Sequence, residues 1–237
     1  RRNQRVPQGC ERSEKLCGKI GLHPPYFYSG GGELVPEWNI KTRPLANCIM
    51  KLNHSNLNDL LQQAYSAEKA AAFAYQGHAG SVSDPEQKLA IRQIEVDEWN
   101  HRSEVLAIMN MYDVPISKWY EVKFYLIGKV ISLSCYVIGW FMPFYFAGKL
   151  ESGNVCEYFR MKEYFNSLGI NAHDRILYEM GLKEKEHEVY FGERIKDHRL
   201  LPIFQKVFGW SGLRSANNVD LERPVPVEGS DIYCKKS

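Results

Sequence analysis

Charge of one sign is what this chain most conspicuously lacks: 30 Lys and Arg stand against 28 Asp and Glu, a formal net charge of +2 over 237 residues. No Lys/Arg block alternates with aromatics, so the electrostatic footprint of a nucleic-acid partner is missing. The six cysteines, Cys10, Cys17, Cys48, Cys135, Cys156 and Cys234, contain no Cys-x-x-Cys pair. That excludes a rubredoxin-type module and a disulfide framework. Cys10 and Cys17 could pair in an exposed extension, and Cys135 falls in an apolar run where a buried reduced thiol is expected. No charged n-region followed by an apolar h-region is visible. Arg1, Arg2 and Arg5 would suit the remnant of a transit peptide, but three arginines do not establish an organelle.

Long hydrophobic runs are also scarce. Val130 to Gly148 is a stretch of 19 residues without a charge, at the lower limit for a membrane span. Gly139 and Pro143 interrupt it, and three readings stay open: a buried helix, a helix in the membrane interface, or a span. A span is the weakest of these, because a lone crossing would place the segments before and after it on opposite sides of the bilayer. Aromatics, by contrast, are plentiful, with 14 Tyr, 11 Phe and 5 Trp. They suit a protein with much apolar surface to cover, or one that meets lipid.

Against this background two copies of one signature stand out, Glu98-x-x-His101 and Glu184-x-x-His187. A Glu and a His three residues apart on a helix share a face and can converge on one point. With 20 Glu and 7 His in the chain, chance supplies roughly 0.6 such matches, so order and spacing must carry the argument. Two helices of this kind, each partnered by a helix supplying a lone Glu, form the carboxylate site of ferritin-like bundles. The lone acids are found at Glu68 and Glu157. Glu68 lies in line with Leu61, Ala64, Tyr65, Ala71, Ala72 and Tyr75; Glu157 lines up with Met161, Tyr164 and Leu168. Glu98 and His101 continue the stripe of Ile91, Ile94, Val105 and Ile108, and Glu184 and His187 that of Leu177, Met180, Phe191 and Ile195. An unpaired carboxylate on such a stripe is costly unless something compensates it. The gaps of 30 residues (Glu68 to Glu98) and 27 residues (Glu157 to Glu184) each fit one helical hairpin.

The expected fold is therefore all-α, a ferritin-like four-helix bundle over residues 55–198. An irregular extension precedes it at 1–54; a short amphipathic segment and polar tail follow at 199–237. Asn56 is the expected cap of the first helix, Asp84 with Pro85 opens the second, the ligand-bearing part of the third runs from about Ser152 to Leu168, and Asp174 caps the fourth. Leu200 to Trp210 is an amphipathic candidate. Four carboxylates and two imidazoles suit iron, with manganese as the competitor, better than a thiolate-rich zinc site. Glu98 and Glu184 are the expected bridges, Glu68 and Glu157 the terminal ligands. Glu163 lies on a polar stripe, and Glu151 reads as a cap or dipole partner at the helix entrance. Asp97 and Glu188 are candidates to support the ligands from behind. Tyr65 and Tyr75 are candidates to line an oxygen pocket. His23, His54, His78, His173 and His198 fall off the matched faces.

Ile94-Glu-Val-Asp-Glu-Trp-Asn-His-Arg102, the Gly-containing apolar helix, and Leu150-Glu-Ser-Gly-Asn-Val-Cys-Glu-Tyr158 together resemble ferritin-like proteins related to demethoxyubiquinone hydroxylase. The resemblance covers about residues 57–195. It implies a two-iron monooxygenase of quinone biosynthesis, seated on a mitochondrial inner or bacterial cytoplasmic membrane, with ligands at Glu68, Glu98, His101, Glu157, Glu184 and His187. Expected partners are the lipid surface, a lipophilic substrate, and further copies of the chain or a larger membrane complex. Two alternatives remain: a ferroxidase or peroxidase of the ferritin and rubrerythrin kind, or an accessory subunit of a respiratory-type complex whose metal site is a structural pin.

Overall fold

The computed structural model describes residues 51–210; residues 1–50, with the Cys10–Cys17 pair, and residues 211–237 lie outside them. Among the described residues six helices follow one another: α1 (Ser55–Ser81), α2 (Pro85–Met111), α3 (Lys118–Ser134), α4 (Phe141–Ser167), α5 (Asp174–Ile195) and α6 (Leu201–Phe208). Among the described residues no strand occurs, and the fold is an all-α bundle.

Local chemistry sets the boundaries. His54, rather than Asn56, caps α1, its Nδ1 accepting the Leu57 backbone N–H at 3.0 Å. Asp84 caps α2 through the Gln87 N–H at 2.8 Å, with Pro85 at the first helical position where its missing N–H costs nothing. The charge-free run is not one helix. It ends α3 at Ser134, turns through Gly139 in the left-handed region (φ +81°), and restarts as α4 at Phe141, with Pro143 tolerated in the first turn. The third bundle helix therefore begins about ten residues earlier than the expected Ser152. Among the described residues no helix is long and apolar enough to cross a membrane.

Helices α1 and α2 form one hairpin, and α4 and α5 the other. Two apolar clusters fill the space between them. One gathers Leu57, Leu61, Val105, Met109, Met161, Phe165 and Leu177; the other gathers Ala79, Ile91, Ile94, Phe144, Phe191 and Ile195. Early α1 thus meets late α2, late α4 and early α5, the pairing of antiparallel neighbours. Between the two clusters lies a polar layer at mid-height.

Helix α3 is different. Gly128 is its one buried residue, seated where an added Cβ would come within 2.7 Å of the Ala70 Cα. It docks on the outside of α1 through that close approach and through charge. Arg102 clasps Glu121 at 3.1 and 3.0 Å, while Lys69 and Ser66 reach the same carboxylate at 2.7 and 2.9 Å. Its large apolar side chains point outward: Trp119, Val122, Leu126, Val130 and Leu133, then Val137 in the following turn, are 57–82% exposed.

Candidate metal centre

The polar layer is built from both hairpins. Glu68 comes from α1, Glu98 and His101 from α2, Glu151 from α4, and Glu184 and His187 from α5; all six are at most 6% exposed. Their donor atoms fall into two overlapping groups, Glu68–Glu98–His101–Glu184 and Glu98–Glu151–Glu184–His187, each with one atom per residue within 4.8 Å of the others. Glu98 and Glu184 belong to both, which is the placement of bridging carboxylates. The Nδ1 of His101 lies 2.8 Å from Glu184 Oε1, and that of His187 lies 3.4 Å from Glu98 Oε1 and 3.7 Å from Glu184 Oε2. Despite that proximity, both oxygens of Glu98 and of Glu184, both Nδ1 atoms, and Glu68 Oε2 are buried without a properly oriented hydrogen bond. Orphaned donor atoms converging on shared space are what a cation would satisfy.

Five of the six expected ligands come together here, and Glu157 does not. The fourth carboxylate is Glu151. With α4 starting at Phe141, Glu151 sits in its third turn, on the stripe of Phe144, Ala147, Gly148, Val155 and Tyr158. Glu157 is half-buried one position off that stripe, its carboxyl pushed up by burial and by Glu68. Glu163 is exposed. The signal for Glu151 was available in its apolar neighbours at three, four and seven residues. A helix beginning near Ser152 hides it, because Glu151 then falls before the first turn rather than well inside a helix that starts at Phe141. With Glu151 the gap in the second hairpin is 33 residues rather than 27, as far above the 30 of the first as 27 lies below it, so spacing alone does not separate the two acids.

Around the six ligands the supports run from hairpin to hairpin. The Tyr75 hydroxyl of α1 donates to Glu151 of α4, and the Tyr158 hydroxyl of α4 donates to Glu68 of α1. Each tyrosine follows its own helix's glutamate by seven residues, two turns on the same face. Asp97 Oδ2 stands 3.2 Å from His187 Nε2, and the Gln93 amide donates to its other oxygen at 3.0 Å. The histidine's outer nitrogen is thus held by a carboxylate while Nδ1 faces inward. Glu188 is engaged elsewhere, with Lys185 and the Trp210 indole N–H, the latter at 2.9 Å. Tyr65 stacks under Arg102 at 3.6 Å, away from the ligands.

Electrostatics show what the layer needs. Burial pushes the carboxyls of Glu68, Glu98 and Glu151 upward, and the Glu184 charge adds to the push. Burial opposes the Glu184 charge too, but Glu151, His101 and His187 hold it well below the usual carboxylate range. Burial would lower His187, yet Asp97, Glu184 and Glu98 raise it well above the usual imidazole range. Burial apart, the upward push on three carboxyls and on both imidazoles has one source, the buried negative charge gathered in this layer. Four ionised carboxylates and two neutral imidazoles would be neutralised by two divalent ions, so the donor set fits a pair of metals.

The other histidines have other places. His54 is the α1 cap, His173 pairs with the Tyr112 hydroxyl at 2.6 Å, and His198 stacks on Phe141 at 4.3 Å. His23 lies outside the described residues. His78 is buried beside the site, in the wall of a cavity of about 430 Å³ that runs between α1, α3 and α4. Tyr75, Glu151 and Asn154 line that cavity at the ligand layer, and Ile131, Ile138, Phe146 and Leu150 line it towards the surface. Comparison with protein-family models, with curated proteins and with solved structures returned no match.

Proposed function

We propose that this chain is an O2-dependent di-iron monooxygenase that hydroxylates a lipophilic, quinone-like substrate at a membrane surface, in the manner of demethoxyubiquinone hydroxylases. The observation that carries the reading is a continuity. An apolar cavity reaches from Glu151, one of the six residues of the buried layer, past Ile131, Ile138 and Phe146 to the exposed Leu150. A catalytic pocket for a water-soluble substrate would not be expected to open there.

Glu68 and His101 would serve one iron, Glu151 and His187 the other, with Glu98 and Glu184 shared. Bound iron would supply activation of dioxygen, one oxygen atom replacing a ring hydrogen as hydroxyl and the other leaving as water, with two electrons and two protons from an external reductant. Tyr75 and Tyr158 orient the two terminal carboxylates, and Asp97 keeps the His187 Nε2–H engaged so that Nδ1 stays turned inward. Phe144, Phe191 and Tyr75 close the layer on one side and keep bulk water out. The exposed stripe of α3, with Ile203, Val207 and Phe208 of α6, is the face proposed to enter the lipid interface.

The test is single-turnover oxidation of a hydrophobic quinone precursor by iron-loaded, chemically reduced protein under labelled dioxygen. One labelled oxygen in the product is expected. O2 uptake that depends on ferrous iron alone, with no label in the organic product, would favour a ferroxidase. Iron bound without either activity, in a protein that purifies only within a larger membrane assembly, would favour the accessory subunit.

A further inference from the structure

Charge is balanced over the whole chain but not along the helices that turn their apolar side chains outward. Residues 118–150 and 201–208, which hold α3, the turn after it, the first part of α4, and α6, contain Lys118, Lys123, Lys129, Lys149 and Lys206. Glu121 is the one acid in these two stretches. It is shared by Arg102 and Lys69, so that cluster is left with one net positive charge. Asp59 of α1 also reaches α3, where it accepts the Tyr120 hydroxyl at 2.8 Å. The lysines are interleaved with the exposed apolar residues rather than set apart from them. Lys123 lies one turn from Trp119 and from Leu126, Lys129 one turn from Leu126 and Leu133, and Lys206 one turn from Ile203. The three helices also form one surface. Ile131 of α3 and Phe146 of α4 line the same cavity, the Phe146 ring packs on Phe208 of α6 at 5.1 Å, and Lys149 donates to the Phe208 carbonyl. On α2 the exposed Leu89, Val96, Trp99 and Met111 have a different setting, since that helix carries Glu86, Glu95 and Glu104 beside Lys88 and Arg92.

We infer that the flank of α3, early α4 and α6 docks on an anionic bilayer surface, its apolar side chains entering the acyl region and its lysines meeting acidic phospholipid headgroups. A lysine stem runs along apolar surface and delivers its ammonium group to the headgroup level, as Lys129 already does over the Phe73 ring at 3.7 Å. Insertion of apolar side chains alone is indifferent to headgroup charge, whereas each basic residue close to an anionic surface is worth roughly a fivefold gain in binding. The apolar residues therefore decide whether the chain attaches to lipid, and the lysines decide to which lipid. An acidic protein partner would set single carboxylates opposite single lysines. Lysines spread over three helices, with apolar residues between them, match a continuous plane of charge instead. The inference rests on the reading of this flank as the lipid-facing one.

The experiment is co-sedimentation of the full chain with vesicles of phosphatidylcholine alone, and of phosphatidylcholine mixed with phosphatidylglycerol, at low and at high salt. Wild-type protein should bind the mixed vesicles about tenfold more tightly than the neutral ones, and the margin should shrink in high salt, which screens exposed charge. Lys123→Gln combined with Lys206→Gln should lose most of that margin while binding neutral vesicles unchanged. Both side chains are exposed, so the fold does not depend on them. Lys88→Gln combined with Lys183→Gln removes the same charge from α2 and α5 and should keep the margin. Equal binding of the two vesicle types by wild type overturns the headgroup inference and leaves the lipid-facing reading standing. An equal loss in the two double variants overturns the assignment to this flank. Wild-type protein that binds neither vesicle overturns the lipid-facing reading itself.

Discussion

Glu98 and Glu184 have no fractional exposure, no oriented hydrogen bond on either oxygen, and two imidazoles pressed against them. In the absence of cations they are a liability, since Glu98 must either stay neutral or carry a buried charge beside that of Glu184. Glu98→Gln should therefore raise the melting temperature of metal-free protein, by the equivalent of about 1–2 kcal/mol. In iron- or manganese-loaded protein it should lower the melting temperature, because ligand binding stabilises only the chain that can bind. Calorimetry with and without metal checks both signs, and a uniform loss in the two states would mean that Glu98 is merely structural. Metal analysis should separate the acids of α4 just as sharply. Glu151→Ala should shed one metal equivalent or both, whereas Glu157→Ala should retain the full complement. Five of the six residues that converge in the buried layer were legible in the sequence because a Glu-x-x-His pair and an acid on an apolar stripe carry their geometry with them. Glu151 was not, because its reading depended on where α4 begins, and apolar residues on both sides of Gly139 disguise that start. Glu157 and Glu151 are each followed by a tyrosine at seven residues, so that spacing could not decide between them.

Helix α3 is the element that a periodicity argument misreads. Its apolar stripe would ordinarily mark the face turned to the core, but here the core-facing contact is made by Gly128 against Ala70. The stripe of Trp119, Val122, Leu126, Val130 and Leu133 is turned away. What holds the helix in place is close backbone approach at one end and the Arg102–Glu121–Lys69 cluster at the other. Burial works against the Glu121 charge, yet Arg102, Lys69 and Ser66 hold its pKa at about 2. A folded-state pKa below the unfolded value means stability that is present at neutral pH. It is lost as pH falls from about 4.5 towards 2. The contribution is about 1–2 kcal/mol once solvent screening of a part-exposed group is allowed for. Glu121→Gln should lower stability at pH 7 by that amount and flatten the acid limb of the stability profile, as read by urea denaturation across pH. If the two proteins differ equally at pH 7 and pH 2, the ion cluster is not what anchors α3. Gly128→Leu should loosen the same helix sterically, at all pH values, and widen the cavity whose wall Ile131 and Ser134 supply.

At the scale of the whole molecule, the described residues place their buried acid and imidazole layer in the middle of the bundle and leave large apolar side chains exposed on several helices. The flank proposed to meet lipid comprises α3, the turn through Val137 and Trp140, Leu150 of α4, and Ile203, Val207 and Phe208 of α6; Leu89, Val96, Trp99 and Met111 of α2 are exposed as well. Lysines stand at its margin. Lys129 lies over the Phe73 ring at 3.7 Å and Lys149 donates to the Phe208 carbonyl at 2.5 Å, so both stems run along apolar surface with the charge at its edge. A flank of this composition favours burial in lipid or against a membrane subunit over exposure to water. Fully burying each large aliphatic side chain is worth about 1.5–3 kcal/mol, so a few of them suffice for measurable attachment. Flotation with liposomes should carry the intact chain to the lipid fraction. Val130→Asp combined with Leu133→Asp should leave it in the aqueous fraction with its metal content intact, because neither side chain approaches the ligands. A double variant that still floats would place the attachment elsewhere, and intact protein that never floats would assign the flank to a protein partner. Turnover then distinguishes attachment from catalysis. With a substrate confined to vesicles the double variant should lose at least tenfold in rate, while with a short-tailed, water-dispersed analogue it should keep pace with the wild type. Equal losses on both substrates would mean that the flank shapes the cavity rather than delivering what enters it.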